Sequence, residues 1–147
     1  MEITTLHTIA KSTLDYDPSV PCIIARQWGF LDSSEFREWL NKGLELMIEK
    51  EKVHGKMAWF ADLRQGDAQA DADLQWVATD WTTRALAASI RHVAFILPED
   101  DYALAQMNAE TYAELSESKA KEEHMITRMF KDEASAKTWL RDALFRP

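Results

Sequence analysis

Few residues in this chain have the type and spacing to do chemistry. The four histidines, His7, His54, His92 and His124, lie in separate segments. None stands three or four positions from another, the spacing that places two metal ligands on one helix face. Asp62, Asp67, Asp71 and Asp73 form an acidic stretch, and oxygen clusters can bind calcium or magnesium. The stretch lacks the alternating acidic ladder, the glycine and the closing glutamate of a calcium loop. Solvation and helix capping are its expected roles. Cys22 heads an apolar run, a setting for a buried and inert thiol. No G-x-S-x-G occurs, and four glycines do not build a phosphate loop or a dinucleotide fingerprint. The residues therefore point to no catalytic group, no metal and no cofactor.

Tryptophan is the unusual element, with six in the chain. Trp39, Trp81 and Trp139 fall on apolar helical stripes and Trp59 in an apolar strand, so these four read as core. Trp28 closes a strand beside Gly29, and Trp76 lies off the stripe of its helix. An exposed tryptophan is costly unless it covers something. Both could line an apolar ligand site or a subunit interface, and packing at the edge of the core accounts for them equally well.

The elements that must position these residues follow from periodicity. A first strand falls within 9–16, and Asp17-Pro18-Ser19-Val20-Pro21 is a turn. A second strand opens at Cys22 and ends near Trp28, and the short connection implies an antiparallel pair. Asp32 with Glu35 three positions on is a capping box in acidic form. Phe36, Trp39, Leu40, Leu44, Met47 and Ile48 follow as one apolar stripe, and Lys50, Lys52 and Gly55 suit the helix end. Met57-Ala58-Trp59-Phe60-Ala61 reads as a strand covered on both faces, and Asp62-Leu63-Arg64 as the start of a polar loop. A second helix starts near Asp71 or Asp73 with Leu74, Val77, Ala78, Trp81, Ala85 and Ala88 inward. Val93-Ala94-Phe95-Ile96-Leu97 is another apolar strand, 125–130 is the last, and Asp132 caps a final helix carrying Ala136, Trp139, Leu140, Ala143 and Leu144.

The order is β-β-α-β-α-β-α-β-α. It predicts an α/β domain with a mixed sheet of four to five strands, an initial antiparallel pair and a mostly parallel remainder, with about four helices. The third helix, beginning near 99–101, breaks the pattern. At 100° per residue, Tyr102, Ala105, Ala109 and Tyr112 share one face while Leu104, Met107 and Leu115 share the opposite one. One face packs on the sheet. The other meets solvent, a ligand or another subunit, unless the helix is shorter or nestles between two neighbours. Trp28, Trp76, Tyr102, Leu104, Met107 and Leu115 are accordingly the candidate ligand-binding or interface residues.

Composition sets the outer bounds. The 147 residues suit one domain spanning 1–147, 46% hydrophobic and 29% charged. Such a chain buries roughly 70% of its unfolded surface. The net charge of −8 disfavours nucleic acid and anionic membranes as partners. No apolar run is long enough to insert in a membrane. The opening MEITTLHTIAKS lacks the basic and apolar regions of a secretory signal, and a lone cysteine fits a reducing cytoplasm.

Three stretches carry a family likeness. They are Trp28-Gly29-Phe30-Leu31 before a helix, Asp62-Leu63-Arg64 before a helix bearing Trp76 and Trp81, and Phe130-Lys131-Asp132-Glu133-Ala134 through Trp139-Leu140 at the end. In joint order and spacing, over nearly the whole chain, they resemble the SpoIIAA-like (STAS/Sec14-like) family of bacterial proteins. The resemblance implies the STAS fold of anti-sigma factor antagonists, which are switched by phosphorylation of a serine at the start of the second helix. Here Asp32-Ser33-Ser34 begins the first helix, and the stretch from Gly66 to Asp73 holds no hydroxyl, so no phosphorylation site is expected. The likeness in fold to Sec14-type lipid carriers implies a small apolar or amphipathic ligand between the sheet and the third helix. The alternative it leaves is a module for a homodimer or a regulatory protein partner.

Overall fold

The computed structural model describes residues 3–67, 69–97, 99 and 125–145. Among these residues six strands form one sheet in the order β1-β2-β3-β4-β5-β6, each beside its sequence neighbour. They are β1 Thr4–Ile9, β2 Ser12–Asp17, β3 Cys22–Gly29, β4 Ala58–Gly66, β5 His92–Ile96 and β6 Ile126–Phe130. The first three run antiparallel, and β3 to β6 run parallel. Helix α1, Ser33–His54, links β3 to β4. Helices α2, Asp71–Trp76, and α3, Thr82–Ala87, lie between β4 and β5, joined by a π turn at Val77–Trp81. Helix α4, Glu133–Phe145, follows β6. No described helix is long and apolar enough to cross a membrane.

The α/β class and the mixed sheet agree with the sequence reading, but the strand count does not. The missed strand is β1. Its hairpin to β2 turns through Ala10 and Lys11, with Ala10 at φ 53°, so no glycine, asparagine or aspartate marks the turn. Strand β4 also runs beyond the apolar segment. Asp62, Leu63 and Arg64, expected in a loop, continue the strand to Gly66. The crossover that would carry Tyr102, Leu104, Met107 and Leu115 lies outside the described residues.

Alternation along the strands divides the core in two. Leu14, Tyr16, Ile23, Ala25, Trp59, Ala61 and Val93 pack with the inner stripes of α1 and α3. Cys22, Ile24, Ala58, Phe60, Ala94 and Ile96 pack on the other face with Ala136 and Leu140 of α4. Crossovers of the usual right-handed sense, stepping one way along a sheet, place α1 and α3 on the same face. Local chemistry sets the ends. Glu35 N–H donates to Asp32, and the Asp32 N–H to Glu35, which completes the capping box of α1. Asp132 accepts from the Ser135 N–H at 2.7 Å at the start of α4. Within α1, Gly43 lets Trp59 lie against the helix. A Cβ there would collide with Cη2 of that ring. Ile48, placed on the buried stripe by spacing, is 39% exposed near the helix end.

Candidate functional site

In open α/β sheets, ligands are met at the carboxyl ends of the parallel strands. Here those ends carry Trp28 and Phe30. Trp28 is 51% exposed and Phe30 64% exposed. The backbone beneath them is held. The Trp28 N–H donates to Oγ of fully buried Ser12 at 2.9 Å. The Gly29 carbonyl accepts from the Asp67 N–H at 3.1 Å and from the side chain of buried Gln27 at 3.4 Å. Gly66 is the strand partner of Gly29, and a Cβ on it would come within 2.8 Å of the Gln27 amide. Gly29 itself sits at φ 65°, where glycine is unstrained. Buried polar groups are thus devoted to fixing a segment whose aromatic side chains stand in the open.

Trp76 is elsewhere and in a different state. It is half-buried at the margin of the core, with the Arg37 guanidinium 5.1 Å from its ring and that of Arg84 5.6 Å away. Arg37 is held by Asp73 at 3.0 Å, and Arg84 by Asn41 at 2.7 Å and Asp80 at 3.0 Å. Its off-stripe position therefore serves a stack between α1, α2 and α3. Trp28 stands open at the end of β3, whereas Trp76 is packed among three helices. Tyr102, Leu104, Met107 and Leu115 lie outside the described residues.

The structure also holds an ion network on the α4 side that spacing did not foretell. Arg26 of β3 meets Asp15 at 2.9 Å, Asp62 at 2.8 Å and Glu133 at 2.7 Å. Arg64 grips Asp62 at 2.8 Å, and Lys137 joins Asp17 and Glu133, each at 2.7 Å. The available signal was charge at alternate positions of strands that are otherwise largely buried. Burial pushes the Asp62 carboxyl up, but hydrogen bonds from Arg64 and Arg26 outweigh it and hold it below 3.8. The Arg26 hydrogen bond, against the opposing effect of burial, holds Glu133 below 4.5. Burial opposes the same shift at Asp17, where hydrogen bonds from Lys137 and Ser19 prevail. These carboxylates are ionised at neutral pH and already engaged, so they bind α4 to the sheet rather than stand ready as proton donors.

The acidic stretch resolves into separate roles. Asp62 belongs to the network. Asp73, expected to cap a helix, is instead fully buried and accepts from Ser33 at 2.7 Å, Arg37 at 3.0 Å and Gln69 at 3.1 Å. It ties the start of α2 to the start of α1, and the cap position of α2 is Ala70, without a side-chain bond. Asp67 is exposed. Cys22 is fully buried, and burial pushes its thiol well above the ordinary range. Among the described residues no group of three or more His, Cys, Asp or Glu is arranged to hold a metal ion. No protein-family model, no curated protein and no solved structure matches this chain.

Proposed function

We propose that this chain is a non-enzymatic binding module of SpoIIAA-like, STAS type, and that it engages a partner protein or a second copy of itself through Trp28 and Phe30. One observation carries the reading: Trp28 is half exposed while its own N–H is held by Ser12 and the carbonyl of the adjoining Gly29 by Gln27 and Asp67. Rigid, preorganised aromatics are the usual anchors of protein interfaces, because little ordering remains to oppose binding. The ionised, fully engaged carboxylates of the network support a binding role over proton transfer.

A second reading is a small apolar ligand held between the sheet and the segment bearing Tyr102, Leu104, Met107 and Leu115. It is favoured by Met129, 54% exposed, which neighbours Phe95 across β5 and β6 on the α1–α3 side of the sheet. Native mass spectrometry of protein purified from cells separates the two. An added protein-sized mass that disappears in a Trp28→Ala, Phe30→Ala double variant supports the partner reading. A small mass released on denaturation and retained by that variant supports the ligand reading. Bare monomer in every sample refutes both.

A further inference from the structure

We propose that the ring of Trp28 receives a positively charged side chain, arginine before lysine, from a basic partner protein. The proposal rests on the partner-protein reading of the same surface. The chain itself supplies the pattern. Three tryptophans reach solvent, and two of them already carry a cation. Trp76 has Arg37 and Arg84 over its ring, and Trp139 has the Arg128 guanidinium at 5.5 Å. Tyr16 follows suit, with the Lys50 ammonium at 4.9 Å. Trp28 is the exception: no cation among the described residues stands over it, although it is 51% exposed.

Tryptophan is the best aromatic acceptor of a cation, and a guanidinium stacks on it while keeping its donors free. Those donors find a carboxylate nearby. Asp67 is exposed, and its N–H is bonded to the Gly29 carbonyl, next to Trp28. Arg64, close to Trp28 in register, is drawn away into pairing with Asp62 and Glu133. With 25 acidic against 17 basic residues, the chain as a whole steers cations toward itself. Ring, carboxylate and net charge together specify a basic occupant.

The test is a titration of the nitrogen-labelled protein with a capped tetra-arginine peptide, followed at the indole N–H signals. Trp28 is assigned by the signal lost in Trp28→Phe. A saturable shift confined to the Trp28 indole is expected, with the Trp76 and Trp139 indoles unmoved. Tetra-lysine should act more weakly and tetra-glutamine not at all. Trp28→Leu, which keeps the apolar bulk, should weaken arginine-peptide binding about three-fold, and Asp67→Asn about two-fold. Equal movement of all three exposed indoles, an unmoved Trp28, or an equal response to tetra-glutamine would each overturn the assignment. If the double variant loses its partner in native spectra while tetra-arginine leaves Trp28 unmoved, the partner reading stands and the cation chemistry falls. The reverse pair of results keeps the cation site and removes the partner reading.

Discussion

The two faces of the sheet are closed by different physics. On one, α1, the π turn and α3 cover Trp59, Ile23, Leu14 and Val93 with Trp39, Met47, Trp81 and Leu86. Trp59 and Trp81 meet with ring centroids 4.8 Å apart, and the Trp39 and Trp81 indoles each donate to a backbone carbonyl. That face is held by apolar area and shape. On the other, α4 offers only a short stripe, led by Ala136 and Leu140, and Glu133 and Lys137 bind the strands through charge. Apolar area carries no titratable group and responds little to pH or moderate ionic strength, whereas charge is sensitive to both. One sheet thus carries a robust side and a conditional side.

The comparison is broken most severely from the robust side. Trp59→Ala empties the space between α1 and β4 and should cost about 4 kcal/mol, the same near neutral pH and in mild acid. Denaturant melts at the two conditions check it. Arg26→Met takes the shared cation from Asp15, Asp62 and Glu133 and should cost about 3 kcal/mol at neutral pH. Its cost has a pH window. Carboxyls held below 3.8 and 4.5 in the folded chain add stability that is complete above those values and is lost as pH falls through the lower folded ones. Lys137 is raised above 10.5, so its share is complete below that value and is lost as pH rises past it. Hydrogen exchange should accordingly show α4 opening before α1 as pH drops, and Arg26→Met should lose its penalty in acid. Exchange that rises equally in both helices would erase the distinction. Asp132→Ala removes the cap of α4 and should have the smallest effect of these, visible as faster exchange in its first turn and not in α1.

How much of this was legible depends on which residues advertise themselves. The capping box of α1, the Asp132 cap of α4 and the apolar stripes of both were plain, because Asp32, Glu35 and Asp132 stand where a helix start uses them. Apolar runs marked the central strands for the same reason. Polar residues with buried partners were not legible. Asp62 and Arg64 look like loop residues until Arg26 and Glu133 are seen across from them. Asp73 looks like a cap until Ser33 and Arg37 arrive from forty and thirty-six positions away. At the candidate surface, spacing singled out Trp28 and Trp76 alike. Only the fold separates a ring stacked under two guanidiniums from one left open.

Cys22 lies in the same cluster as Ala136 and Leu140, sealed by the helix that charge holds down. It is the chain's single sulfhydryl. A thiol dye meets it only in molecules whose α4 has lifted, so labelling speed counts those openings without any engineered probe. The protein carries its own gauge of how often its conditional side comes undone.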